Sequence, residues 1–233
     1  MTDCYDYYHQ HNVTVTGTQW ISPQPDRYPV QAYCDMETAG GGWTVIQRRV
    51  DDSLMFLNKT RKEYKDGFNL QSATWLGWLG LENIHILSTK DDNVTLRIDL
   101  WTFDQTYLWG EWPVRIDGEG SRYKLNVGEM LAGNLDETEN GTFRANHNLG
   151  QFFTASDGDN CASLQKNNKK YGPFWYAAPG ARPAPKECGS AHLNGAYHTT
   201  QMSSDEGCGW MLSNQRWINP VRSEMKLRKN VHY

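Results

Sequence analysis

The stretch from Cys34 to Arg49 constrains the fold more than any other part of this 233-residue chain. It predicts two short β-strands, Gln31–Asp35 and Trp43–Arg49, joined by a turn at the three glycines Gly40–Gly42. Glycine tolerates positive φ and close backbone approach, and the β-branched and aromatic residues after the turn suit a half-buried strand. A phosphate site is not indicated, because the spacing is not G-x-G-x-x-G and a strand follows the glycines instead of a helix.

Length and charge narrow the class of protein. The chain is long enough for one compact domain with its own core. A net charge of −4 and a pI near 6.0 argue against nucleic-acid binding, which usually leaves a basic stripe. The longest nearly continuous apolar run, Trp75–Leu81, is much shorter than the ~20 residues of a membrane span, so membrane insertion is not predicted. Because the chain opens at Met-Thr-Asp-Cys without a secretion signal, we interpret it as a mature or excised fragment with an added start.

Glycosylation sequons and cysteines indicate the compartment. Four N-x-[ST] sequons are present, at Asn12, Asn58, Asn93 and Asn140, and their number favours a glycosylated protein. The five cysteines allow two disulfides and leave one thiol over. Disulfides persist only in oxidising compartments. We therefore expect a secreted, extracellular protein.

The residue periodicity is that of a mixed α+β domain. Alternating apolar residues predict strands at Thr95–Leu100, Pro113–Ile116 and Lys124–Val127. Helical patterns cover Glu82–Ser88 and Arg61–Phe68. After about residue 144 these patterns thin out, and Gly, Pro, Asn and Asp accumulate among large aromatics. Functional residues often lie on such loops when a rigid scaffold holds them.

The string from Cys34 to Arg49, taken whole, resembles the signature of the fibrinogen C-terminal domain. That family includes ficolins, tachylectins, angiopoietins and angiopoietin-like proteins, tenascin tails and fibrinogen chains. The resemblance runs from Cys4 to about Arg228, nearly the full length of the chain. It is carried by further motifs in the family's order: Trp78–His85 (WLGLENIH), Asn160-Cys161-Ala162, Leu193-Asn194-Gly195, Trp210, Arg216-Trp217 and Met225-Lys226.

The resemblance implies an α+β fold in a single domain over residues 1–233. Its parts would be a disulfide-tied N-terminal segment at about 1–42, a central mixed sheet with short helices at 43–144, and a loop-rich C-terminal lobe at 145–233. The implied disulfides are Cys4–Cys34 and Cys161–Cys188. Cys208 is then the odd thiol, either buried and inert or available for an intermolecular bridge. An oligomer could form through Cys208 or through an N-terminal region missing from this chain.

Asp157 and Asp159 fall where the family carries the first two carboxylates of its calcium loop. Calcium takes 6–8 oxygen ligands, and the family supplies several from a spacer before the Asn-Cys motif. Here Asn160 and Cys161 follow Asp159 directly. Two carboxylates without that spacer cannot complete a tight shell, so we expect calcium to stabilise this domain little or not at all, and no cofactor is expected to be required. The Asp-x-Asp pair also suits an ordinary turn.

The expected ligand site also departs from the family pattern. Members that bind acetyl groups have a His after the second cysteine of the lobe and a Tyr before the closing Trp, whereas Gly189 and Ser204 stand here. A proline-containing insertion, Ala177–Glu187, either enlarges the rim of the site or is a surface excursion. We predict ligand binding by a set of aromatic and polar residues in the lobe, with core packing as the alternative role: Trp175, Tyr176, His192, Asn194 and Trp217, near Tyr197.

Catalysis finds no support in the sequence, which has no G-x-S-x-G elbow, H-E-x-x-H motif or P-loop. Cys188, His192 and His198 have zinc-like spacing, but a disulfide at Cys188 would remove the thiolate that zinc needs. We expect a non-enzymatic recognition domain. The first hypothesis is a lectin-like module of the innate-defence type that binds glycans or glycoproteins. The second is a protein ligand for a cell-surface receptor or matrix partner, as angiopoietins and tenascins are.

Overall fold

The computed structural model describes residues 1–72, 74–135, 148, 150–158, 161–162, 170–176, 189–197, 206–212 and 216–230. These residues form three α-helices and thirteen short strands. The helices are α1 (Cys4–His11), α2 (Arg61–Asp66) and α3 (Leu81–Thr89). The strands are β1 (Gly17–Ile21), β2 (Val30–Asp35), β3 (Trp43–Arg49), β4 (Gly77–Trp78), β5 (Val94–Trp101), β6 (Tyr107–Ile116), β7 (Leu125–Val127), β8 (Ala132–Gly133), β9 (Phe152–Thr154), β10 (Phe174–Tyr176), β11 (Trp210–Met211), β12 (Trp217–Ile218) and β13 (Arg222–Lys229).

Nine of the strands form one sheet. Its order is β1-β2-β3-β13-β5-β6-β7, with β4 added beside β3 and β8 beside β6. The remaining strands form two small ribbons, β9 with β10 and β11 with β12. The α+β class is confirmed. The family resemblance implied a mixed sheet, whereas the pairings among the described strands are antiparallel.

The predicted elements are present with small changes at their ends. Strand β3 has the predicted bounds, and the segment predicted at 113–116 is the last part of the longer β6. Helix α2 ends before the predicted Phe68, because Gly67 follows it with φ of 89° and breaks the helical backbone. At its start, the hydroxyl of Thr60 and the carboxylate of Glu63 each accept a backbone N–H, which is a capping box.

The C-terminal strand β13 was not predicted, and it occupies the middle of the sheet between β3 and β5. It belongs to the region 145–233, which we had interpreted as a separate loop-rich lobe. Its Met225 lies directly opposite Ile98 of β5, and the side chains of both are buried. The boundary at about residue 145 therefore does not separate the sheet from the lobe.

The N-terminal segment is tied to the sheet by a disulfide between Cys4 and Cys34, which confirms the predicted pair. Cys4 is the first residue of α1 and Cys34 lies in β2. Asp3 caps the helix, because its side chain accepts a hydrogen bond from the backbone N–H of Asp6. The disulfide and the cap together fix the position of α1.

The core face of the sheet continues into the C-terminal lobe through aromatic rings. The ring centroid of Trp78, on β4, lies 6.2 Å from that of Trp175 on β10 and 5.7 Å from that of Phe153 on β9. Tyr64 of α2 lies 5.1 Å from Phe153. These four side chains are almost completely buried. One aromatic core therefore holds the sheet, α2 and the lobe together.

The opposite face of the sheet, which we call the outer face, contains charged and aromatic side chains. Residues that alternate along a strand share one face, and Glu224 and Lys226 of β13 lie opposite Asp99 and Arg97 of β5. Asp99 in turn lies opposite Trp109 of β6. The four charged side chains are buried, each less than 5% exposed. They therefore require partners on this face.

Candidate functional site

Trp175 and Tyr176 lie on β10, where aromatic residues favour an extended strand. The indole N–H of Trp175 donates to the carbonyl of Tyr123 at 2.8 Å, and the amide of Asn148 donates to the carbonyl of Trp175 at 2.8 Å. The hydroxyl of Tyr176 donates to the carbonyl of Tyr171 at 3.2 Å. Burial raises the pKa of Tyr176 well above its usual value. Both side chains are satisfied inside the protein.

His192 lies in the middle of a stack of three rings. The centroid of its imidazole is 4.2 Å from that of Tyr171 and 5.0 Å from that of Trp217, with interplanar angles of 14° and 15°. The imidazole is fully buried, whereas Trp217 is partly exposed. We call these three residues the ring stack. It extends from the interior of the lobe to the surface at Trp217.

Asn194 belongs to a loop that is anchored to β3. The side-chain amide of Gln47 donates to the Asn194 Oδ1 at 3.2 Å and to the Leu193 carbonyl at 3.1 Å. The guanidinium of Arg49 donates to the carbonyls of Leu193 and Gly195 at 2.9 and 2.8 Å. These contacts fasten the lobe to the sheet.

Gln47 and Arg49 were missed by sequence reasoning. The available signal was two long polar side chains at alternate positions of β3, on the side of the strand that simple alternation shares with the apolar Trp43 and Val45. Buried polar groups of this kind need partners, and Leu193 and Gly195 are about 145 positions away in the sequence. The pattern could have indicated a buried polar role for both residues, but not the loop that they hold.

The five residues predicted to bind ligand differ in their burial, and four of them have the core packing that was the alternative role. Trp175, Tyr176, His192 and Asn194 are 0% exposed. These side chains can be buried because the indole N–H of Trp175, the hydroxyl of Tyr176 and the Oδ1 of Asn194 have hydrogen-bond partners in the core. Trp217 alone of the five is partly exposed, so our ligand-binding prediction now centres on it.

Gly189, one of the departures from the family pattern, has a local structural explanation. Its φ is +127°, and a Cβ at this position would lie 3.0 Å from the side-chain nitrogen of Asn148. Asn148 is buried and also accepts a hydrogen bond from the backbone N–H of Ser190. A larger residue at position 189 would therefore strain the backbone and displace Asn148. Ser204 and the insertion 177–187 lie outside the described residues.

The free thiol of Cys208 is completely buried, and its Sγ lies 3.5 Å from the carbonyl of Leu193. Burial raises the pKa of this thiol, although the nearby Arg49 acts in the opposite direction. The burial favours the first of the two alternatives for Cys208, an inert thiol that is not presented to a second molecule. Cys161 is disulfide-bonded, and its predicted partner Cys188 lies outside the described residues.

We expect Cys208 to be the slowest thiol to react when the native protein is treated with an alkylating reagent. A buried neutral thiol exposes little thiolate, so labelling should require unfolding. Peptide mass spectrometry after alkylation without reduction should find label at Cys208 only in denaturant. Rapid labelling of the native protein, or a Cys208 peptide joined to another cysteine, would contradict this assignment.

The calcium expectation involves Asp157 and Asp159. Asp157 is exposed, and its carboxylate accepts the backbone N–H of Arg61 at 3.1 Å, at the start of α2. Asp159 lies outside the described residues. Among the residues that the structure describes, no group of three His, Cys, Asp or Glu side chains is placed to hold a metal ion. Of the residues in the zinc-like pattern, Cys188 and His198 lie outside that part of the chain.

Three of the predicted glycosylation sites, Asn12, Asn58 and Asn93, are exposed. Asn140 lies outside the described residues. An exposed asparagine can carry a bulky glycan without disturbing the core, so these three positions are compatible with modification. Within the described part of the chain, none of the helices is both long and apolar enough to cross a membrane.

The fold and the lobe define a class of protein: a disulfide-tied α+β globe in which aromatic residues of the C-terminal lobe share a core with the sheet. A family model described as the C-terminal globular domain of fibrinogen beta and gamma chains matches residues 1–230. The chain belongs to this fibrinogen C-terminal domain family, whose members are generally non-catalytic binding domains.

Similar proteins extend this result. The chain is 36% identical to human fibroleukin over 200 residues, covering 84% of this chain and 42% of fibroleukin. It is 28% identical to mouse fibrinogen gamma chain, covering 91% and 51% of the two chains. It is 30% identical to mouse microfibril-associated glycoprotein 4, covering 97% of this chain and 84% of that protein. These relatives are secreted extracellular proteins. The chain spans about half or less of the length of fibroleukin and of fibrinogen gamma chain.

Solved structures agree with the fold. The fibrinogen-like globe domain of human ANGPTL2 superposes with a TM-score of 0.79 at 27% identity, covering 99% of both chains. A lamprey fibrin D-dimer, determined in complex with a Gly-His-Arg-Pro-amide peptide, gives a TM-score of 0.76 at 23% identity, covering 100% of this chain and 76% of its own. At that identity the second likeness supports the fold alone.

Proposed function

We propose that this chain is a secreted, non-enzymatic recognition domain that binds glycans or glycoproteins through its C-terminal lobe. The observation that carries the proposal is the ring stack, which ends at the partly exposed Trp217. His192 covers one side of the indole, so contact with a ligand is left to the remaining accessible part. Aromatic rings suit the C–H faces of sugars, and tryptophan is among the residues that most often anchor a complex.

The extracellular part of the proposal rests on covalent chemistry. The Cys4–Cys34 disulfide persists only in an oxidising compartment. Three exposed sequon asparagines, Asn12, Asn58 and Asn93, offer acceptor sites for N-glycans. Secretion would explain both features together, and it agrees with the location of the relatives.

A second candidate function is that of a protein ligand for a receptor or a matrix partner. The composition around Trp217 favours it. Trp217 lies opposite Met211 in the β11–β12 ribbon, and both are partly exposed. Arg216, next to Trp217, is exposed. Tryptophan and arginine are the typical energetic anchors of protein interfaces, and methionine adapts to varied partners.

The substitution Trp217→Ala tests the proposed site. We expect it to weaken binding by ~2 kcal/mol, about 30-fold, if Trp217 is an anchor. The measurement is a glycan array with the purified chain, with and without calcium, followed by titration of the best glycan or glycoprotein. Trp20→Ala is the matched control, because Trp20 is 52% exposed and lies on β1, the edge strand of the sheet, instead of in the lobe.

The outcomes separate the candidates. Loss of glycan binding in Trp217→Ala but not in Trp20→Ala supports the lectin-like function. An array without signal, together with Trp217-dependent binding to a glycan-free protein partner, supports the second function. If Trp217→Ala folds normally and binds both kinds of ligand as the parent does, the site lies elsewhere on the molecule.

A further inference from the structure

Two of the ten tryptophans are followed by another tryptophan three positions later: Trp75 before Trp78, and Trp109 before Trp112. The pattern W-x-x-W is the acceptor signal for C-mannosylation, in which a sugar is attached to the first indole of the pattern in the secretory pathway. A short motif is only a hypothesis until its structural context agrees. The structure gives the two motifs very different contexts.

Trp75 cannot carry a sugar in this fold. Its side chain is 0% exposed, and its indole N–H is directed at the carbonyl of Gln31 at 3.4 Å. A hexose on this ring would have to displace core residues, and cores are packed too closely for such an insertion. A chain modified at Trp75 would therefore not reach the native structure.

Trp109 has the opposite environment, because it lies on the outer face of the sheet and is partly exposed. The guanidinium of Arg97 lies 4.2 Å from the centroid of its ring. Arg97 is itself fixed by the carboxylates of Asp99 and Glu111 at 2.9 and 2.6 Å and by the hydroxyl of Tyr107 at 2.8 Å. One face of the indole is thus held against a fixed cation, while Trp109 as a whole remains partly exposed, unlike the fully buried Trp75.

The neighbours of Trp109 on its own strand are polar groups that suit a sugar. Residues two positions apart along a strand share a face, so Tyr107 and Glu111 flank Trp109 on β6. Their hydroxyl and carboxylate can donate to or accept from sugar hydroxyls. Trp112, three positions on, lies on the core face and is 2% exposed. A transferase that recognises both tryptophans must therefore act on the extended chain before β6 joins the sheet.

We propose that Trp109 is a C-mannosylation site and that Trp75 is not modified in the folded, secreted protein. This inference rests on the extracellular part of the proposed function. The co-reactant is a lipid-phosphate-linked mannose. A bond forms between C1 of mannose and Cδ1 of the indole while the C1–O bond of the donor breaks. The phosphate leaves with the bonding electron pair, and the hydrogen on Cδ1 is lost as a proton, which restores the aromatic ring.

The test is peptide mass spectrometry of the chain secreted from mammalian cells behind a secretion leader. We expect the peptide with Trp109 to be heavier by one hexose in most molecules, with fragmentation placing the sugar on the indole. Treatment with a peptide N-glycosidase should leave it in place. The Trp75 peptide should have its unmodified mass. Cells that lack C-mannosyltransferases should secrete the chain with an unmodified Trp109.

Two controls make the result decisive: a variant that lacks the acceptor indole, and the N-glycans of the same secreted chain. Trp109→Phe should fold and lose the hexose, whereas Trp112→Ala is a less useful variant because Trp112 is in the core. An unmodified Trp109 in the secreted protein overturns the inference, as does a hexose that persists in transferase-deficient cells or one found on Trp75. N-glycans at Asn12, Asn58 or Asn93 report separately on passage through the secretory pathway. If they are present while Trp109 is bare, the inference fails and the extracellular proposal stands.

Discussion

Replacing Trp175 with alanine should lower the free energy of unfolding by about 3–5 kcal/mol, the usual cost of truncating a buried aromatic side chain. The indole is 0% exposed and packs within 5.1 Å of Phe153 and 5.0 Å of Phe174, measured between ring centroids. The substitution leaves a cavity and removes the donor to the Tyr123 carbonyl, which then remains buried without this partner. Urea unfolding followed by circular dichroism measures the change.

Trp20→Ala is again the matched control for Trp175→Ala, because it removes the same side chain from an exposed position. We expect its effect to stay within about 0.5 kcal/mol. Trp175→Phe should recover part of the loss, since it restores ring volume but not the N–H donor. If Trp175→Ala unfolds at the same urea concentration as the parent protein and instead loses ligand binding, the indole is an anchor and its assignment to the core is wrong.

The parts of the fold that could be predicted share one property: their local pattern states which face is buried. Strand β3 follows a glycine turn, and β5 alternates Leu96, Ile98 and Leu100 on its core face. Turn chemistry and alternation act over a few residues, so both are visible in the sequence. The same holds for α2 and α3, whose ends differ from the prediction by two residues or fewer.

The alternation of apolar and charged residues at 224–227 is itself a strand signal, and it was missed. The central position of β13 could not be predicted, because the strand is buried on both faces but is not apolar. Its core face carries Met225 and Leu227, whereas its outer face carries Glu224 and Lys226, which are buried among charges from other strands. A run that alternates apolar and charged residues normally indicates an edge strand or an exposed face. The partners that make the charges tolerable come mainly from β2, β3 and β5, far away in the sequence.

The site residues show a different limit. The sequence identifies aromatic residues around Trp175 and His192, but an aromatic side chain suits a core and a ligand platform equally well. What decides between the two is the layer in which the ring lies, and that depends on contacts such as those of Gln47 and Arg49 with Leu193. Such contacts join segments that no local pattern connects. Trp217 differs from the others only by its position at the surface end of the ring stack.

Replacing Lys226 with methionine should lower the free energy of unfolding by about 3–5 kcal/mol, the typical cost of removing one partner from a buried ion cluster. The ammonium is 1% exposed and lies 2.6 Å from Asp35, 2.9 Å from Asp99 and 3.1 Å from Glu224. Methionine replaces the apolar stem of lysine without its terminal ammonium, so most of the loss comes from three carboxylates left without their shared cation. Urea unfolding at pH 7 measures the effect.

The pH dependence of this destabilisation identifies its cause. Burial alone would raise the pKa of Asp35, but Lys226 and the hydrogen bonds of Thr38 outweigh it and lower that pKa from 3.8 to about 2. A carboxyl whose pKa is lower in the folded state stabilises the protein above its unfolded pKa, and this contribution is lost as the pH falls through about 4 to 2. The stability difference between the parent protein and Lys226→Met should therefore shrink on acidification from pH 7 to about 3. The control variant is Lys62→Met. Lys62 is 84% exposed and pairs with Asp66 across one turn of α2, so the loss of its ammonium should lower the free energy of unfolding by at most about 0.5 kcal/mol. A difference between the Lys226 variant and the parent that does not change with pH would assign the loss to packing instead of to uncompensated charge.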